Sequence, residues 1–136
     1  MRILAVDLGL ARTGLAICDE LEMLASPLGT VAQPDMEKLL DEVTATVTRE
    51  GARAIVVGHP RNMDGSRGDS AQRAEAFAAS LEERTGLPVA LWDERLTTVS
   101  AIGFLNETNV RGKKRKAIVD TVSATIILQE YLDSRR

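Results

Sequence analysis

The sequence predicts an α/β fold, a five-stranded mixed sheet with helices on both faces. Three observations carry the prediction. Apolar runs at 3–8, 15–18, 24–32, 54–58 and 89–92 have the length and glycine or proline boundaries of strands. The first three follow one another closely, as a meander does, whereas the last two alternate with segments of helical period. Ala54-Ile55-Val56-Val57-Gly58 is apolar without alternation, the pattern of a parallel strand covered on both faces.

Each element has its own signal. Residues 3–8 form the first strand. Gly9-Leu10-Ala11-Arg12-Thr13-Gly14 is a turn, and Leu15-Ala16-Ile17-Cys18 returns as the second arm of a hairpin. The third strand lies within 24–32 and bends near Pro27. Asp35 follows Pro34 as a helix N-cap, Leu39, Leu40, Val43 and Val47 recur at helical spacing, and Gly51 ends the helix. After the 54–58 strand comes a loop from His59 to Gly68. Asp69 with Gln72 three residues on predicts a capped helix start, Ala74, Phe77, Ala78 and Leu81 give the stripe, and Gly86 and Pro88 mark the end. Val89-Ala90-Leu91-Trp92 is the fifth strand. Thr97 or Thr98 caps a short helix to about Leu105, a polar loop covers 106–112, and a last helix runs from about Lys114 to Leu132.

The chain reads as a single domain over 1–136, with no repeat and no linker. No apolar stretch approaches the ~20 residues that span a bilayer, and the first residues are not a signal peptide. Cys18 is the only cysteine, so no internal disulfide forms, which suits a reducing cytoplasm. Aromatics make up 3% of the chain, too few for a base-stacking platform. The net charge of −3 hides a local excess: Arg111, Lys113, Lys114, Arg115 and Lys116 follow one another with no acid between them.

Ligands of open α/β sheets sit at the carboxyl ends of parallel strands. Here the ends of 3–8 and 89–92 carry Asp7 and Asp93-Glu94, and the end of 54–58 carries Gly58-His59-Pro60. A third acid, Asp120, continues the stripe of Ser123, Ala124, Ile127, Leu128 and Tyr131 on the last helix. Were Asp7, Glu94 and Asp120 to converge, two carboxylates about 4 Å apart would repel by roughly 4 kcal/mol at an effective dielectric near 20. A cation would then keep them ionised, and hard oxygen ligands suit Mg²⁺ or Mn²⁺. Such a site hydrolyses phosphodiesters by the two-metal-ion route. Plainer readings stand beside this one. Asp7 can serve a turn, Glu94 can pair with Arg95 or cap a helix, and Asp120 can favour the positive end of its helix. The basic run can be a solvated loop, His59 a strand-end residue and Cys18 a small core residue.

The sequence resembles the YqgF family, also called RuvX, whose members are described as pre-16S rRNA nucleases and as Holliday-junction-resolvase-like proteins. The resemblance covers essentially the whole chain. It lies in Ile3 to Gly9 with Arg12 and Gly14, Val56 to Pro60, Asn62 to Ser66, Trp92 to Thr98, and Lys113 to Lys116 leading to Val119-Asp120. It implies a ribonuclease H-like fold, a cytoplasmic location, and a catalytic and metal-binding triad at Asp7, Glu94 and Asp120. It further implies a hydrolase acting on ester bonds, with Mg²⁺ or Mn²⁺ as cofactor and a role in maturing the 5′ end of pre-16S rRNA in ribosome biogenesis. Arg12, Arg95 and the run Arg111, Lys113, Lys114, Arg115 and Lys116 would then hold nucleic-acid phosphates. Two positions depart from the family pattern: Ala11 stands where a lysine is common, and Ser123 where a small alanine is usual.

Two other functions are compatible with the residues: resolution of four-way DNA junctions in recombination, and a non-catalytic nucleic-acid-binding module. Expected partners are structured RNA or branched DNA and ribosomal precursor particles, with no membrane. The chain would act as a monomer or homodimer, since a junction resolvase needs two coordinated sites. An ATP-binding domain of the sugar-kinase and actin type also opens with an aspartate and glycines, but those proteins pair two related lobes.

Overall fold

Strand β1 (Ile3–Leu8) is the middle strand of a five-stranded sheet in the computed structural model, which describes residues 1–62, 64–96 and 112–136, with side chains at all of these except 96 and 112–121. The strands are ordered β3-β2-β1-β4-β5, where β2 is Thr13–Cys18, β3 Ala25–Val31, β4 Ala54–His59 and β5 Val89–Asp93. β1 pairs antiparallel with β2 and parallel with β4, and β4 pairs parallel with β5. The carboxyl ends of β1, β4 and β5 therefore lie at one edge of the sheet, as the sequence predicts.

The side-chain period of two divides the core. Leu4 and Val6 of β1, with Ile55 and Val57 of β4, face helices α1 (Met36–Glu50) and α2 (Asp69–Thr85). Ile3, Ala5 and Val56 face the opposite way, onto Ala124, Ile127, Leu128 and Leu132 of helix α3 (Gly112–Ser134). Helices thus cover both faces. The unbroken apolar run of β4 is explained by this double burial, with every residue from Ala54 to His59 buried.

Local signals resolve as follows. The Asp35 carboxylate accepts from the Lys38 amide at 3.1 Å, and Gly51 and Gly86 close their helices in the left-handed region. The predicted bend at Pro27 is a register shift: Leu15 faces Gly29 while Ala16 faces Pro27, so Leu28 is the additional residue. Three expectations change. β2 starts at Thr13, because Thr13 and Gly14 pair with Leu8 and Asp7. Asp69 does not cap α2: Gly68 is the N-cap and makes no side-chain cap, while Gln72 Nε2 donates to the Arg67 carbonyl at 3.2 Å. The last helix is also longer at both ends than 114–132. The expected short helix up to about Leu105 and the loop after Asn106 lie outside the described residues. Among the described residues no helix is long and apolar enough to cross a membrane.

Candidate active site

Asp7 is the penultimate residue of β1, half-buried, and it alternates onto the α3 face with Ile3 and Ala5. Glu94 opens a 3-10 turn, Glu94–Leu96, immediately after β5. The strand order places β4 between their strands, and at its end stands Gly58, opposite Trp92. A Cβ on Gly58 would lie 2.9 Å from Ile127 Cδ1 and 3.1 Å from Glu94 Cδ. The Glu94 carboxyl therefore folds back over the backbone of β4, through a gap that only glycine leaves open.

That path brings Glu94 to Asp7, and the two carboxyls are hydrogen-bonded. The Glu94 carboxyl is pushed up to about 8, first by burial, then by the charge of Asp7 and the hydrogen bond to it, and last by the charge of Asp93. With Glu94 protonated, its O–H donates to Asp7. Two acids drawn together at the end of parallel strands, one of them held far above its ordinary range, form an all-oxygen donor set that fits a hard divalent cation.

The neighbouring acid behaves in the opposite way. Asp93 is held below its ordinary value because Arg95 binds it, Nη2 to Oδ2 at 2.7 Å and Nε to Oδ2 at 3.0 Å. Arg61 approaches the same carboxylate at 4.0 Å and also donates through Nε to the Gly65 carbonyl at 3.1 Å. Arg61 thus links the Gly65 carbonyl to the end of β5. The Asn62–Ser66 stretch adds its own bonds: Asp64 accepts from the Ser66 hydroxyl at 2.6 Å, which holds the Asp64 carboxyl low.

Of the seven basic residues expected at phosphates, Arg12 is half-buried at the β1–β2 turn and Arg95 is engaged by Asp93. Arg111 and the side chains of Lys113, Lys114, Arg115 and Lys116 lie outside the described residues. So does the side chain of Asp120, whose backbone belongs to α3. The structure therefore brings together Asp7 and Glu94 of the three expected acids. His59 is a buried strand-end residue, as expected, with Nε2 2.6 Å from Glu75 Oε2 of α2. Arg61 and the gap at Gly58 are not marked in the sequence, and Asp93 is placed there at the strand end without a role of its own. Asp93 stands beside Glu94 and could have been weighed with it, whereas the contact of Arg61 depends on how the loop folds back.

Gly58→Ala tests the gap. A Cβ there meets Ile127, which is 1% exposed, and the Glu94 carboxyl, so the added methyl is expected to cost about 1–3 kcal/mol in urea unfolding and to turn Glu94 toward solvent. The Glu94 carboxyl, followed by carbon-13 NMR, should then titrate closer to the ordinary range than about 8. An unchanged Glu94 titration would show that Gly58 does not shape the pair.

A parallel core extended by an antiparallel hairpin, with acids at the carboxyl edge, is the ribonuclease H-like class of sheet. Solved structures share it: Thermus thermophilus RuvC in complex with a Holliday junction substrate superposes with a TM-score of 0.63 at 13% identity, covering 99% of this chain and 95% of that one. The fowlpox virus Holliday junction resolvase gives 0.55 at 13% identity, covering 98% and 99%. The family model described as "RuvX: Holliday junction resolvase" matches residues 1–134, and the chain belongs to that family. Relatives in Geobacillus kaustophilus and Lachnospira eligens, each named "Putative pre-16S rRNA nuclease", are 45% and 41% identical over 139 residues. Both alignments span 100% of this chain, and 100% and 99% of the relatives.

Proposed function

We propose that the chain is a divalent-metal-dependent nuclease that hydrolyses phosphodiester bonds in maturing the 5′ end of pre-16S rRNA. The observation that carries the reading is the hydrogen-bonded pair of Asp7 and Glu94 at the carboxyl ends of two parallel strands. The names of relatives more than 40% identical along the whole chain support the polymer.

Asp7 and Glu94, with Asp120 from α3, would hold one or two Mg²⁺ or Mn²⁺ ions. Bound there, such ions lower the pKa of a water and steady the charge of the leaving oxygen. The protein's part is placement. β1, paired on both sides, fixes Asp7. Gly58 leaves the channel for Glu94, which would have to give up its proton to serve as a ligand. Arg12 and the 111–116 run would orient the phosphate backbone without reading bases, with Arg95, held by Asp93, beside them. The whole chain acts as one nuclease domain in the cytoplasm.

Purified protein should be compared on a pre-16S precursor, a single-stranded RNA and a four-way DNA junction, each with Mg²⁺, Mn²⁺ or chelator. The expected result is cleavage of the precursor that chelator stops and that weakens with rising salt. Cleavage of the junction alone would support the family's other description, junction resolution. Binding without any cleavage in Mn²⁺ would overturn the nuclease reading and leave a nucleic-acid-binding module.

A further inference from the structure

Arg73 lies in α2, outside the acid pair and outside every basic residue expected at phosphate. Its Nη1 donates to the Gly9 carbonyl at 2.9 Å, joining positions 64 residues apart. The side chain is half-buried, and its hydrogen bond runs to a backbone carbonyl. A guanidinium in that setting holds backbone in place, because it keeps its charge and its donor geometry is rigid.

The backbone that it holds belongs to the site. Gly9 is two residues beyond Asp7. The carbonyl of Arg12 comes so near that a Cβ on Gly9 would lie 2.2 Å from the Arg12 oxygen. Gly9 and Arg12 are thus packed as one tight turn, entered from Asp7 and fastened on the helix side by Arg73. The same helix fastens the next strand: Glu75, two residues on, meets His59 at the end of β4 and takes an ion pair from Arg67 at 3.0 Å. α2 therefore clasps the carboxyl ends of β1 and β4, the strands that carry Asp7 and the Gly58 gap.

We propose that Arg73 is a positioning residue of the nuclease site, holding the Gly9–Arg12 turn so that Asp7 and Arg12 face the substrate phosphate together. The proposal rests on the nuclease reading given above. Arg73 acts through the turn, by its bond to the Gly9 carbonyl.

The test uses the full chain as wild type, Arg73→Ala, Arg73→Lys and Glu75→Gln, the last loosening the same helix at His59 without touching Gly9. Amide hydrogen exchange through residues 8–14 and the maximal cleavage rate of the substrate that wild type cuts are both measured. Arg73→Ala is expected to raise exchange in that turn about tenfold while the other strands keep theirs. It should also slow cleavage by about 10- to 100-fold, the scale of an ångström of misplacement. Arg73→Lys, which can still donate to one carbonyl, should recover most of both losses. Glu75→Gln should leave exchange at 8–14 unchanged. Unchanged exchange at 8–14 in a folded Arg73→Ala protein overturns the proposal, as does an equal loss of rate in Glu75→Gln. A wild type that cuts nothing overturns the nuclease reading instead. The exchange at 8–14 then still decides the anchoring, a rise in Arg73→Ala supporting it and no rise refuting it.

Discussion

Asp7→Asn is expected to abolish metal-dependent cleavage while leaving the fold intact or slightly stabilised. The substitution keeps the shape of the side chain and removes its charge. If the site works through cations held by carboxylates, the loss should reach several kcal/mol of transition-state stabilisation, or roughly 1,000-fold in rate. The fold has no reason to suffer: with Glu94 protonated the pair is a hydrogen bond, and the two acids meet as a repulsion only where Glu94 ionises, around and above pH 8. An amide at position 7 relieves it and can still accept from a protonated Glu94. The melting temperature in chelator should therefore hold or rise, and the increase that Mn²⁺ gives the wild type should vanish. The Glu94 carboxyl should come down from about 8 only part of the way, since burial is the largest cause of its position and survives the change. A folded Asp7→Asn protein that cleaves at the wild-type rate would remove Asp7 from the site.

This contrast shows where the sequence was readable. The order of elements along the chain followed from local pattern: the unbroken apolar run 54–58 has the look of a doubly covered strand, and the hairpin and caps at Asp35, Gly51 and Gly86 are short-range features. The pairing of Asp7 with Glu94 was reachable because the carboxyl edge of parallel strands collects ligands whatever the protein. The Gly58 gap was not reachable, because a glycine ending a strand looks like a turn signal until Ile127, 69 positions later, is seen against it. Arg73 carries no local mark at all, since its partner is a carbonyl 64 residues away. Asp69 misled for the converse reason. Its Asx-x-x-Gln spacing is a real capping signal, yet Gly68 takes the N-cap and Gln72 turns back to Arg67. Local chemistry predicts well where the partner is near in sequence and fails where packing chooses it.

Cation binding is expected to depend steeply on pH, with Glu94 as the cause. A carboxyl at about 8 is protonated in roughly nine molecules of ten at pH 7, so a divalent ion entering between Asp7 and Glu94 must displace close to one proton. Apparent Mg²⁺ affinity should rise about tenfold per pH unit below about pH 8 and level off above it. Calorimetry in two buffers of different ionisation enthalpy should count that proton, and Glu94→Gln should abolish it. Stability must move the other way without metal. Between the ordinary value of 4.5 and about 8 the folded chain binds the Glu94 proton and the unfolded chain does not. Metal-free stability therefore falls as pH rises through that window. Asp19, Glu22, Asp64 and Asp93 are all held below their ordinary range, so their contribution is lost only in more acid solution and does not mask the slope. Saturating Mg²⁺ should flatten the trend, because the ion-loaded folded chain, like the unfolded chain in this window, carries no Glu94 proton to lose. A Mg²⁺ affinity that stays flat between about pH 6 and pH 8, with Glu94 shown to titrate near 8, would mean that the ion sits elsewhere and that the acid pair is a structural contact.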